Sequence, residues 1–273
     1  MDDSKNRFSE IYVCRIKPSK IMRSFAFVLF FVVGLFGSCT ATPTSTAAPV
    51  DHSAWDKLLK KHVNDKGFVN YTAFKKDYDE LKKYLDMLSA SAPNNKWTKE
   101  EQLAYWINAY NAFTVQLILD HYPGISTIKD IGSKIKIPLV SDAWTVNFIV
   151  IGGKKMNLND IEHGIIRKKF DEPRIHFALV CAAKSCPPLR NEAFTADQLN
   201  KQLDEQGRDF MNDKSKNNIR KDKAELSKIL TWYGGDFTKK MPIVEWVNKY
   251  STVKIEANTP VSYLDYDWDL NGK

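Results

Sequence analysis

Two thiols, two imidazoles and several carboxylates and guanidinium groups fall within residues 160–190, among them Cys181 and Cys186, His163 and His176, Glu162, Arg167 and Arg190. These are the side chains that could do chemistry. A cysteine attacks as its thiolate, so it needs a nearby base or positive charge. Cys, His and a carboxylate in one cleft would carry out acyl transfer on peptide or amide bonds. The roles expected are Cys181 as nucleophile, His163 or His176 as base and Glu162 as the orienting group. Asn108 and Asn111, three residues apart, could turn amides into the cleft, Asn111 as an oxyanion donor, with Arg167 and Arg190 as further binding groups.

The same residues support quieter readings. Cys181 and Cys186 flank a four-residue gap in a Pro-containing turn and could close a disulfide, which would make this a non-catalytic binding or scaffold protein. Lying between Ile175 and Phe177, His176 could equally be a hydrogen-bonded core histidine. Zinc held by His163, His176, Cys181 and Cys186 matches no finger or ribbon spacing, so no metal or other cofactor is expected. The spacing is not C-x-x-C, which weakens a redox-exchange reading. Phosphate loops, HExxH and the nucleophile elbow are all missing from the chain.

Several elements must position these groups. Trp55, Leu58, Leu59 and His62 recur at helical spacing, as do Phe74, Tyr78, Leu81, Leu85 and Leu88. Thr98 to Glu101 has the form of a capping box and should open a long helix that stops at Pro123 and Gly124. A hairpin is expected from strand 146–151, Gly152-Gly153 and strand 154–156. Asn157 or Asn159 should cap the helix carrying Glu162 and His163, which then point about 100° apart and cannot both face one small site. One of the two is expected to bind Arg167. Residues 175–180 have strand composition, which places His176 and Cys181 on opposite faces. Helices are expected over 195–212 and 243–250. At the C-terminus Leu264, Tyr266, Trp268 and Leu270 alternate with Asp265, Asp267 and Asp269, as in a half-buried strand. The class is α+β, a helical N-terminal half packed on a small, mainly antiparallel sheet.

Three strings, WINAYNAF at 106–113, DIEHGIIR at 160–167 and HFALVCAAKSCPPLR at 176–190, occur together with a closing YDWDLN at 266–271. In these the chain resembles the domain of unknown function 547 family, from the long helix to the C-terminus. The resemblance implies a family but no established reaction. A Cys, His and carboxylate set with the cysteine last in chain order is also similar, in arrangement alone, to permuted papain-like thiol enzymes.

The N-terminus reads as an address. An uncharged apolar stretch over 24–37 follows Lys17, Lys20 and Arg23 and runs into Ser38 and Cys39. This is a basic, apolar and small-residue succession too short to span a bilayer comfortably. FGSC resembles a lipobox, with Phe36 in place of the usual Leu, so residues 1–38 are expected to be removed and Cys39 lipidated. A complete signal can start at Met22. Residues 39–50 form a small, polar, Pro-interrupted tether, and 51–273 a single globular domain. The expected location is the bacterial cell envelope, with the domain on the non-cytoplasmic side and a peptide or other envelope substrate. The formal net charge of +7 loses a net +3 with residues 1–38. No basic patch with interleaved aromatics remains to argue for nucleic acid.

Overall fold

The computed structural model describes residues 48–132 and 142–273. The signal segment, Cys39 and most of the tether lie outside the described residues.

Helices dominate the first half. α1 (Ser53–His62) buries Trp55, Leu58, Leu59 and His62, α2 (Tyr71–Phe74) is a single turn, and α3 (Tyr78–Ala90) buries Leu81, Tyr84, Leu85 and Leu88. α4 (Lys99–His121) starts at the expected box: the Glu101 amide donates to Thr98 Oγ1 at 3.1 Å and the Thr98 amide to Glu101 Oε2 at 2.7 Å. From Leu103 to Leu119 only Gln116 escapes burial, so this helix is the axis of the fold rather than an amphipathic surface element. Its length does not imply a membrane role, since no described helix is long and apolar enough to cross a membrane.

The hairpin forms, but its first strand is shorter than expected. β1 (Ile149–Ile151) pairs with β2 (Lys154–Met156), with Ile149 opposite Met156, across Gly152 and Gly153 at φ +57° and +75°. Both glycines take the positive φ that a two-residue hairpin turn demands. Residues 146–148 stay outside because the returning strand ends after three residues, where Asn157 begins the next helix. The Asp160 amide donates to Asn157 Oδ1 at 2.9 Å and the Asn157 amide to Asp160 Oδ2 at 3.0 Å. That helix is π-wound over Asp160–Ile166 and returns to α in α5 (Arg167–Lys169).

No strand forms over 175–180. Pro173–Phe177 is a 3₁₀ helix, and the chain then runs irregularly to Cys181. Pro173 starts the turn with its fixed φ and absent N–H, and Glu172 Oε1 accepts from the Arg174 amide at 3.1 Å. Ile175 and Phe177–Val180 are all buried, and a short apolar run of this kind suits either a buried strand or a buried helical turn.

α6 (Leu199–Asn212) begins four residues later than expected, after a turn in which Gln202 Oε1 accepts from the Thr195 amide at 3.0 Å. A second core gathers Phe177, Phe210, Leu226, Phe237 and Trp246 between α6, α7 (Ile229–Trp232), α8 (Gly234–Thr238) and α9 (Ile243–Tyr250). Beside it lies a three-stranded sheet. β3 (Asn218–Ile219) runs antiparallel to β4 (Ala224–Leu226), and β4 runs parallel to β5 (Val261–Tyr263). The described class is α+β with two small, mostly antiparallel sheets, not one.

The C-terminal segment keeps its alternation but not its strand. Tyr266 and Trp268 are half-buried and Leu270 buried, while Asp265, Asp267 and Asp269 are exposed. The backbone is tied to loops by isolated bridges, Thr127 with Asp269 and Ala183 with Leu270. It therefore braces the turn that follows Cys181.

Candidate active site

A cleft of about 230 Å³ collects both thiols, both histidines and Glu162. Two aromatic groups shape it. Tyr266 packs on Trp232 and Trp268 at 4.8 and 4.5 Å between ring centroids, and Trp144 packs on Trp268 at 5.8 Å. Tyr233 stacks on His176 at 3.8 Å and lies 6.5 Å from the His163 ring.

Cys181 sits half-buried where the irregular segment ends, and the next residue, Ala182, has φ +58°. A left-handed conformation costs a residue with a Cβ about 1–2 kcal/mol. Asn271 helps hold it, its amide donating to Ala182 O at 2.9 Å. The tight turn brings Cys186 back, so that the two free sulfurs stand 2.7 Å apart. The Cys181 amide donates to Cys186 Sγ at 2.8 Å, and Tyr266 Oη lies 3.3 Å from Cys181 Sγ.

This geometry reverses the expected electrostatics. Contact with Cys186, then burial, pushes the Cys181 thiol up rather than down. Cys186 goes the other way: burial disfavours its charge, but contacts with Cys181, Tyr266 and the Cys181 and Ala183 amides outweigh it. At rest Cys181 is a thiol that needs a base.

His176 is the better placed histidine. It is 2% exposed, and its Nε2 lies 2.9 Å from Asp236 Oδ2. Its Nδ1 is buried and has no hydrogen-bond partner among the described residues. Arg167 Nε on the same Asp236 oxygen, at 2.6 Å, with His176 beside it, keeps that carboxylate ionised well below the usual range. An ionised Asp236 makes Nε2 the donor and leaves Nδ1 with a lone pair. Burial pushes His176 down to about 4 despite Asp236, so the ring is neutral at neutral pH.

His163 is committed elsewhere. Arg167 Nη1 donates to its Nδ1 at 3.1 Å, which puts the ring proton on Nε2 and makes that nitrogen a donor rather than a base. Arg167 thus binds His163, and the orienting carboxylate is Asp236 rather than Glu162, whose Oε1 is 3.8 Å from His163 Nδ1. Glu162 and His163 nevertheless both line the cleft. The wider π-winding changes the angular spacing from which separate faces were expected. Glu162 is 5% exposed, and with burial it pushes the Tyr233 hydroxyl up. His176 and Cys181 also share the cleft, because no strand alternation separates them.

Three expected binding residues do other work. Asn108 exchanges hydrogen bonds with the backbone of Phe194, at 2.8 and 3.0 Å. Asn111 donates to Ala178 O at 2.9 Å and accepts from the Val180 amide at 3.0 Å, supplying the pairing that a neighbouring strand would have given. Each side-chain amide nitrogen gives one N–H to the backbone, and neither asparagine is among the residues that line the cleft. Arg190 holds Glu192 and, at 2.7 Å, Glu205, away from the thiols. Asp236 and Tyr233 went unforeseen. Their only signal is a polar residue in the aromatic, Gly-broken string 232–237.

Comparison with curated proteins and with solved structures finds no match. Residues 94–211 hold α4, the π-turn, His176 and both thiols, and they match the family described as Protein of unknown function, DUF547.

Proposed function

We propose that the cleft is a thiol acyl-transfer site, a hydrolase or acyl-transferase acting on peptide or amide bonds. The observation that carries this is a neutral His176, oriented by Asp236 and with an unpartnered Nδ1, in the cleft that holds the Cys181 thiol. Cys181, the less buried of the two cysteines, gives its proton to His176 Nδ1 and bonds the carbonyl carbon. Asp236 stabilises the imidazolium, which then protonates the leaving amine as the C–N bond breaks, leaving a thioester on Cys181. The strained Ala182 suits a turn that fixes a nucleophile. With His176 as base and Asp236 as its carboxylate, the cysteine is not last in chain order, so this set lacks the order on which the permuted papain-like analogy was drawn.

p-Nitrophenyl acetate tests this reading. Reduced protein should gain one acetyl group on Cys181, and His176→Asn should slow that step about 10²-fold while His163→Asn changes it little. An unreactive Cys181, or a rate indifferent to both histidines, would overturn it. The 2.7 Å sulfur separation favours a second reading, a binding or scaffold protein with a Cys181–Cys186 disulfide. Protein isolated without reductant and inert to alkylation at both positions would support that. Attachment to the cell envelope through a lipid on Cys39 belongs to the same proposal and rests on residues 17–39.

A further inference from the structure

We infer that the thiol pair is also a hydroperoxide-reactive redox site, in which Cys186 is oxidised first and Cys181 closes on it as a disulfide that reversibly withdraws the nucleophile. The oxidation needs only the two free sulfurs; its effect on acyl transfer rests on the reading above. Cys186 is the nucleophilic group that the acyl-transfer steps leave unused. It stands between two clefts. One is the aromatic cleft, and the other, of about 580 Å³, is walled by Phe68, Lys184, Pro188 and Asp267. Although the residue is only 3% exposed, a solute as small as a peroxide has room on either side of it.

The surroundings of this sulfur suit an anion. The Cys181 amide donates to Cys186 Sγ at 2.8 Å. Burial and the two sulfurs push the Tyr266 hydroxyl up, so it keeps its proton beside the pair, 3.3 Å from Cys181 Sγ. Burial disfavours charge on Cys186, but these contacts and the Cys181 thiol outweigh it, whereas contact with Cys186 and burial raise Cys181. One sulfur therefore forms the thiolate that attacks, and the other keeps its proton. The spacing is not C-x-x-C, yet the backbone closes the pair. Ala182 takes the left-handed turn, the Cys186 amide donates to Ala183 O at 3.0 Å, and the Lys184 and Ser185 amides donate to the C-terminal segment at 2.8 and 3.2 Å. Sulfurs 2.7 Å apart need no rearrangement of the loop before they bond.

The electrons balance with one hydroperoxide. The Cys186 thiolate, its proton already released to water, attacks the outer peroxide oxygen; the O–O bond breaks, and the departing hydroxide or alkoxide takes up a proton. Cys186 is then a sulfenic acid. The Cys181 sulfur bonds the Cys186 sulfur, the S–O bond breaks, and the Cys181 proton leaves with the hydroxide as water. Two thiols have lost two electrons, and the peroxide has gained them. A small dithiol returns both by thiol–disulfide exchange and restores Cys181.

The experiment treats reduced protein, freed of reductant, with hydrogen peroxide near neutral pH and follows intact and peptide masses. The expected product has lost two hydrogens at Cys181 and Cys186, at a rate about tenfold above that of free cysteine, of which only a few per cent is ionised at neutral pH. Cys181→Ser should gain oxygen on Cys186 about tenfold faster than Cys186→Ser gains it on Cys181. If either variant does not fold, the wild-type pH profile decides: disulfide formation should reach its plateau below the ordinary thiol value of about 8.5, and a plateau only above it counts against Cys186. The oxidised protein should no longer be acetylated by p-nitrophenyl acetate, and dithiothreitol should restore acetylation without denaturant. Faster oxidation of Cys181, no disulfide, acetylation that survives the disulfide, or a disulfide that dithiothreitol opens only in urea would overturn the inference. Reduced protein that oxidises in this order but never acetylates removes the acyl-transfer reading and leaves the redox site standing.

Discussion

Asp236 does for His176 what Glu162 was expected to do for His163, and the difference is one of reach. A carboxylate adjacent in sequence on a helix cannot turn back onto its neighbour's ring, whereas one brought in from α8 can meet it squarely. Burying His176 as the neutral ring has a consequence for stability. Its value falls from 6.5 in the unfolded chain to about 4 in the folded one, so between those pH values the unfolded state binds the extra proton. Stability is unaffected above pH 6.5 and declines as pH falls through the window, by on the order of 3 kcal/mol from this ring. His52, pushed by burial to about 4 beside Tyr84, adds in the same direction. Asp236, held low by Arg167 and His176, extends the loss to still lower pH, where it becomes protonated. The urea midpoint should therefore drop between about pH 7 and pH 4.5, and the drop should be smaller in His176→Asn, which cannot take up that proton. A midpoint independent of pH over this range would contradict the buried neutral imidazole.

At the scale of elements, the thiol is held by a segment with no ladder of its own. Residues 178–181 are neither strand nor helix, and the side chain of Asn111, from the buried middle of α4, supplies the backbone bonds instead. Asn111→Ala would strand the Ala178 carbonyl and the Val180 amide in the core. Leaving a buried polar group unpaired costs about 1–3 kcal/mol, so the expected loss is about 3 kcal/mol or more in urea unfolding. Thr98→Ala, which removes only the cap of the same helix, should cost about 1 kcal/mol. Equal losses for the two would mean that Asn111 is not the brace of the nucleophile segment. The capping box, the Gly-Gly hairpin and the helical faces of α1 and α3 were readable because each depends on residues within a few positions of one another. The 3₁₀ turn at His176 was not, since burial from Ile175 to Val180 removes the polar alternation that tells one period from another, and a single π-turn within a short helix at Glu162 has no residue spacing of its own to reveal it.

The whole molecule assembles its cleft from distant parts of the chain. Tyr110 comes from α4, Glu162 from the π-turn, the thiols from a loop, Trp232 and Tyr233 from around α7, and Tyr266 and Trp268 from the C-terminal segment. The family match ends at residue 211, so Asp236 and much of the aromatic lining lie beyond it. The proposed attachment is a separate matter and rests on residues 17–39 alone. If a lipid on Cys39 is the anchor, Cys39→Ser should move the protein from membrane to soluble fractions with its unfolding transition unchanged; undiminished membrane retention would refute the anchor. Sequence alone determined the class, the long central helix, the hairpin, the exposed alternation of the C-terminal aspartates and the short segment in which the chemistry would gather. Those properties follow from local patterns of apolarity, capping and turn chemistry. Tertiary structure alone decided which histidine of the cleft keeps an unpartnered nitrogen, which carboxylate it pairs with, that Asn108 and Asn111 serve the backbone, and that Cys181 is pushed up and Cys186 down. Protonation and hydrogen-bond partners depend on burial and on atoms far apart in the chain, and no spacing along it encodes them.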